Sequence, residues 1–159
     1  MPDSSLTPLL LAALVANGLA AGFFYAFACA VMPGLARTDD RTFVAAMTAI
    51  NAAVQNPLFA LAFIGSGLSS AATLASAISS GAGLATSTAI AGALALAVLQ
   101  YVVTFGRNIP LNVRLDRTAR GPLLPARRGF ERPWFRANTL RMLASSGALL
   151  LLGIALVTV

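Results

Sequence analysis

Residues Leu6 to Pro33 read LTPLLLAALVANGLAAGFFYAFACAVMP. The run carries no charge and exceeds the roughly 20 residues an α-helix needs to cross the hydrocarbon of a bilayer. It fixes the solvent in which the rest of the chain is read. Asn17, Gly18, Ala21 and Gly22 fall near one helical face, and Gly18-x-x-x-Gly22 is a small-xxx-small pattern that permits close helix approach. Phe23, Phe24, Tyr25 and Phe27 supply bulk for packing and lipid contact, or an aromatic wall for a flat ligand. Phe24 and Tyr25 are the candidates for the second role. Cys29 lies inside the run and reads as a small buried hydrophobe. The few residues before the run include no basic side chain, so they lack the first region of a secretory signal peptide.

Composition supports the membrane reading. Of 159 residues, 58% are hydrophobic and 10% charged, against about 25% charged in a typical soluble domain. Mean hydropathy is +0.81. The apolar residues come in long blocks rather than amphipathic stripes. The net charge of +6 comes entirely from 11 arginines. They sit between apolar blocks, which is the pattern of topology determinants; nucleic acid is not an expected partner. There is no His and one Cys, so no internal disulfide, no His-based site and no Cys-rich metal site are expected.

Outward from the first run, Pro33 and Gly34 end the first span, expected over about 6–33. Arg37, Asp39, Asp40 and Arg41 form a charged turn, and either aspartate is placed to cap a helix over about 42–55. Pro57 breaks that helix near Asn56 and begins a span over about 57–78. A Gly/Ser turn leads to a third span over about 87–105, with Gln100, Tyr101 and Thr104 near its end. A fourth span covers about 140–159. The expected fold is therefore all-α: one transmembrane domain, an integral membrane four-helix bundle with an additional amphipathic helix between spans 1 and 2. The basic loops at 34–56 and 106–138 have the same parity. The positive-inside rule places both in the cytoplasm and both termini outside. Faces rich in Gly, Ser and Ala exceed what one small bundle needs, which allows a homo-oligomer.

The segment from Asn108 to Arg141 concentrates the chemistry. It holds eight of the eleven arginines, two of the five acids and the single Trp. It reads as a loop because of Gly121, Pro122, Pro125 and Gly129, with a short helix near Val113 to Ala119. Pro110 should push Ile109 out of the α region, leaving Asn108 and Asn112 to flank a turn. A fourth helix starting at Pro133 puts Trp134, Asn138 and Arg141 on one face. Asn51 lies at the same end. Each residue has a structural alternative: Asn108 and Asn138 as caps, Trp134 as an interfacial belt residue, Arg141 snorkelling to headgroups. Polar groups in membrane bundles nevertheless usually face the interior and often mark a site.

Four features together resemble the small membrane proteins of the anthrone oxygenase family. They are Asn108-x-Pro110-Leu111-Asn112, Trp134-x-x-x-Asn138-x-x-Arg141, the Gly-rich aromatic helix ending Val31-Met32-Pro33, and Ile50-Asn51 with Asn56-Pro57. The resemblance covers nearly the whole chain. It implies a bacterial inner-membrane enzyme related to fungal proteins implicated in oxidising anthrones to anthraquinones. That chemistry is thought to need no metal or flavin, so no cofactor is implied. The implied partners are a small hydrophobic aromatic substrate, dioxygen and membrane lipid. In this light Arg141 is the countercharge for an enolate or forming superoxide. Asn112, Asn138 and the Trp134 N–H donate to oxygens. Asn108, Asn51, Phe24, Tyr25 and Tyr101 contact the substrate. Without His or Lys, only Asp39, Asp40, Asp116, Glu131 and two tyrosines are proton acceptors, and Asp116 and Glu131 lie among arginines. The substrate must then be acidic already. The alternative is a non-catalytic small membrane subunit, a lipid- or quinone-binding module that docks partners through its basic loop. A transporter has little support, because no charge is expected mid-span and no inverted repeat is visible.

Overall fold

The computed structural model describes residues 6–119 and 121–159. Among them the chain forms helices and turns only. We number five helices: α1 Leu6–Leu35, α2 Asp40–Ala53, α3 Pro57–Ser79, α4 Leu84–Thr118 and α5 Leu123–Val157. All but α2 are long and apolar enough to cross a membrane. The protein is an all-α membrane bundle.

The helices form a ring in the order α3, α1, α5, α4. The seam between α3 and α4 is the least closely packed of the four. The far end of the bundle is a dry core of small and aliphatic residues, including Leu10, Ala13, Ile90, Ala93, Ala148 and Leu152. Across the middle runs a polar spine. Asn17 Nδ2 donates to Ser70 Oγ at 3.1 Å, Gln100 Nε2 to Ser66 Oγ at 2.7 Å, and Ser145 Oγ to Gln100 Oε1 at 2.6 Å. Such bonds have no competing water in hydrocarbon and tie all four spans in one register. The arginine-rich end holds a second core, with Phe27, Met32, Phe43, Met47, Leu115, Phe130 and Trp134.

The two short breaks fall where local chemistry puts them. Asp39 caps α2: its Oδ1 accepts from the Arg41 and Thr42 amides, each at 3.0 Å. The bond from the Thr42 hydroxyl to Asp39 Oδ2 at 2.6 Å, and with it those amide bonds, hold the Asp39 carboxyl below its ordinary pKa, because they favour the ionised form. Asn56 caps α3 through the Phe59 amide at 3.0 Å, with Pro57 in the first turn.

Three expectations are corrected. While Pro33 lies in the last turn of α1, which ends close to where expected, at Leu35, Pro110 does not end α4. Each is preceded by a π-helical turn, Phe27–Val31 and Thr104–Asn108. Met32 N–H bonds to Phe27 and Ile109 N–H to Thr104, five residues back. The wider turn relieves the clash of a proline ring with the carbonyl four residues behind. Ile109 accordingly stays α-helical, at φ −63° and ψ −48°. The basic segment is also not a loop: α4 runs on to Thr118, and α5 starts at Leu123 and passes through Pro133. What holds these helices is burial of Leu115, Phe130 and Trp134 against Phe43 and Met47 of α2.

Two smaller readings also change. Cys29 faces outward rather than inward. At Gly22 an added methyl group would meet nothing within 4 Å, so the Gly18–Gly22 pair makes no close contact. The tight approaches are elsewhere. A methyl at Gly67 would lie 2.5 Å from Tyr101 Oη. On the α4–α5 seam, Leu151 seats on Gly92 and Leu96 on Gly147.

Candidate functional site

The weak seam between α3 and α4 opens, at the arginine-rich end, into a cavity of about 780 Å³. Neither α2 nor the Ile109–Thr118 part of α4 packs closely against α3 among the described residues, so these elements stand apart around it. The α2–α3 junction closes one end, with Asn51, Gln55 and Asn56. Aromatic rings line the walls: Phe23 and Phe27 from α1, Phe59 and Phe63 from α3, Phe105 from α4 and Trp134 from α5. Phe59 and Phe63 stack nearly parallel, their centroids 5.4 Å apart.

The inner end of the cavity is polar. Arg141 is 5% exposed, and its guanidinium carbon lies 4.4 Å from the Phe24 ring centroid and 5.5 Å from that of Trp134. Its Nη2 donates to Asn138 Oδ1 at 3.0 Å and its Nη1 to Thr104 Oγ1 at 3.4 Å. Its Nε has no partner. Among the described residues both ion pairs involve Arg127, so Arg141 is in contact with no carboxylate. Asn138 is locked from the other side, its Nδ2 donating to the Phe24 carbonyl at 2.9 Å.

Asn108 sits on the π-turn, which rotates it inward. It is 1% exposed and lines the cavity, yet neither its Nδ2 nor its Oδ1 has a partner. The Asn51 Nδ2 is likewise buried and unpaired. Buried polar groups are normally satisfied, and leaving one bare costs ~1–3 kcal/mol. Arg141 Nε, Asn108 Nδ2 and Asn51 Nδ2 are thus three unpaired donors on residues lining one cavity, with Asn108 Oδ1 an unpaired acceptor among them.

The expected site residues divide as follows. Arg141, Asn108, Asn112, Trp134 and Asn51 line the cavity together. Asn138 does not line it; both ends of its amide are engaged, and it orients Arg141. The Trp134 N–H is not free for a ligand, because Nε1 donates to Asn112 Oδ1 at 2.8 Å. Phe24 is fully buried beneath Arg141, and Tyr25 faces outward at 59% exposure. Tyr101 is a structural clasp outside the cavity: its hydroxyl accepts from the Gly67 amide at 2.8 Å and donates to the Phe63 carbonyl at 2.7 Å. Glu131 is bound to Arg127 at 2.8 Å, as expected of an acid among arginines. Asp116 instead reaches the cavity mouth.

Sequence reasoning did not single out Phe59, Phe63 or Phe105. Within an apolar span a ring facing a ligand and one facing lipid look alike. A helical wheel of α3 anchored on Ser66 and Ser70 would place Phe63 on the inner face.

Comparison of the chain with protein-family models, curated proteins and solved structures returned no match.

Proposed function

We propose that this chain is a membrane-embedded oxygenase that works without metal or flavin on an acidic, flat aromatic of the phenolic or polyketide-like, anthrone-type class. The observation that carries the reading is Arg141, a guanidinium buried in an aromatic-walled cavity with no carboxylate in contact with it among the described residues. A buried cation without a counter-ion is unfavourable, and an anionic ligand would complete it. The likeness of the Asn108–Asn112 and Trp134–Arg141 runs to anthrone oxygenases supplies the reaction.

In this scheme the substrate is bound as its enolate or phenolate. Arg141 and the Asn108 amide hold the negative oxygen, and Asn112 Nδ2 is free to donate because its Oδ1 already accepts from Trp134. The electron-rich ring passes electrons to dioxygen, and Arg141 stabilises the charge as it moves. Overall a ring CH2 and O2 become a ring C=O and water. The substrate supplies all the electrons, so no outside reductant is required. Asp116 is the carboxylate that lines the cavity and is the proposed proton acceptor. By the loop charges, the arginine-rich end faces the cytoplasm and both termini lie outside.

Oxygen uptake by protein in detergent, with anthrone as the probe, tests the reading. The wild type should accelerate uptake, and Arg141→Ala should lower the rate by about 100-fold or more, the scale of removing a preorganised donor from an oxyanion. A folded Arg141→Ala protein with full activity would overturn the site. Failure to accelerate uptake with any of a set of acidic aromatics would overturn the oxygenase. A non-catalytic binding module is favoured by one observation: Arg114, Arg117, Arg128, Arg132 and Arg136 all face outward at the same end, as a docking surface would.

A further inference from the structure

We infer that the cavity is entered sideways from the bilayer, through a portal between α3 and the Phe105–Val113 stretch of α4. Its occupant is a membrane-dissolved amphiphile with a flat apolar body and one acidic oxygen group that comes to rest at Arg141. The inference rests on Arg141 as an anion site but not on any oxidation.

The portal is defined by residues that line the cavity and also show on the outer surface. Ile64 is 52% exposed, Phe105 63%, Ile109 40% and Val113 41%. All four are apolar and form the side edge of the cavity; at its arginine-rich end the exposed lining residues include instead the polar Gln55, Asn56 and Asp116. On two other sides the cavity is backed by packed helices: α1 behind Phe23 and Phe27, α5 behind Trp134 and Arg141. The gap is tall. Pro57 to Ile64 spans about 10 Å along α3, and Phe105 to Val113 about 12 Å along α4, at ~1.5 Å per residue.

Polarity along the cavity selects the occupant. The portal edge offers no polar side chain at Ile64, Phe105, Ile109 or Val113, so a ligand charged throughout would not pass it. A purely apolar ligand would leave Asn108 and Arg141 Nε bare, at the cost already noted. An acid that is neutral in lipid satisfies both conditions. It crosses the portal uncharged and is held as its anion beside the guanidinium, which favours the charged form. The parallel Phe59 and Phe63 rings suit a planar body.

Trp134 makes this measurable. It is the single Trp, is 4% exposed, and lines the cavity. We would reconstitute the wild-type protein in phosphatidylcholine vesicles and read its emission. Phosphatidylcholine brominated on the acyl chains should quench Trp134, and iodide in the water should not. Quenching by iodide alone would mean a cavity open to water, and no quenching by either a closed one; both overturn the portal. 9-Anthracenecarboxylic acid should then take up Trp134 emission by saturable energy transfer. Its affinity should be about tenfold weaker or more in Arg141→Gln, a loss of ~1.4 kcal/mol, while anthracene should bind both proteins alike. Unchanged affinity for the acid in Arg141→Gln would overturn the ligand class. Bromolipid quenching of the variant reports its fold. If it does not fold, Asn108→Leu, which removes the neighbouring unpaired group, gives the same comparison. Oxygen uptake enters none of these readouts, so failure of the oxygenase reading leaves them standing.

Discussion

The Arg141 guanidinium carbon stands 4.4 Å from the centre of the Phe24 ring, and the ring face is what the fold provides there in place of a carboxylate. A cation–π contact is worth ~0.5–2 kcal/mol, far less than the several kcal/mol lost on desolvating a charge. The site is therefore held at the expense of stability. Replacing Arg141 by Met keeps the length of the side chain and removes the charge. Asn138 Oδ1 loses its donor, a penalty of ~1–3 kcal/mol, while removing an uncompensated charge is favourable by a similar amount. Denaturation in SDS should show Arg141→Met as stable as the wild type or more so, with ligand binding lost. A variant less stable by ~3 kcal/mol or more, as when one partner of a buried ion pair is deleted, would show that Arg141 is a structural strut.

Asn108 gives the sharper version of the same argument. Both ends of its amide are buried and unpaired, so in the empty protein they contribute only cost. Leucine has the same branching and no polar atom, and the cavity that Asn108 lines has room for its bulkier methyl groups. Asn108→Leu should raise the SDS-denaturation midpoint, by an amount equivalent to ~1–3 kcal/mol, and should weaken binding of an acidic aromatic. The stabilisation should shrink when saturating ligand is present, since the ligand then satisfies the wild-type amide. Equal midpoints for the two proteins without ligand would argue that Asn108 is already satisfied.

The same two residues show how far the sequence could be read. The four apolar runs, the Asp39 cap and the break at Asn56 are legible because each depends on local chemistry: hydrocarbon thickness, a carboxylate beside free amides, a proline without an N–H. The Trp134, Asn138, Arg141 face is legible from helical spacing alone. The helix at Ile109–Thr118 is legible only in part, as the short helix near Val113 to Ala119, and the stretch from Leu123 to Arg132 not at all, because Pro110, Gly121, Pro122, Pro125 and Gly129 argue locally for a loop. Their order comes from packing Leu115 and Phe130 against Phe43 and Met47, which are distant in sequence. Pro110 misleads for a related reason. A π-turn absorbs it, as another absorbs Pro33, and no local pattern announces either. Tyr25 and Tyr101 have the same chemistry in similar surroundings; only the helix rotation sends one outward and the other into a clasp.

That clasp separates tight glycines from loose ones. At Gly67 a methyl group would fall within 2.5–2.9 Å of three Tyr101 atoms, and that ring is fixed by bonds to Phe63 and Gly67. It cannot swing aside without breaking them. Gly67→Ala should destabilise by ~1–3 kcal/mol, the usual range for overpacking. Gly22→Ala meets nothing within 4 Å and should be neutral or stabilising by up to ~1 kcal/mol through helix propensity. Denaturation midpoints of the two variants check the contrast. The reverse order would restore Gly18-x-x-x-Gly22 as a packing face, for instance between copies of the chain.

Arg127 is the other arginine with a defined task, and it lies at the charged end. Its Nη2 donates to the Ala36 carbonyl at 2.9 Å, and Nη1 to the Thr38 carbonyl at 2.8 Å and Asp40 Oδ1 at 3.0 Å. Nε donates to Glu131 Oε2 at 2.8 Å, and the guanidinium carbon sits 4.6 Å from the Phe43 ring centroid. One planar group thus ties the end of α1, the start of α2 and the start of α5. A lysine keeps the charge, but its single nitrogen cannot reach four acceptors spread over the plane of a guanidinium. These acceptors are near the surface and water can replace part of what is lost, so the cost is moderate. Arg127→Lys should destabilise by ~1–2 kcal/mol. Because α2 also closes one end of the cavity through Asn51, ligand affinity should fall with it. High salt should weaken the two ion pairs and leave the carbonyl bonds, so the gap between wild type and variant should narrow without closing. A gap that vanished at high salt would mean that charge alone, and not the shape of the arginine, holds this corner.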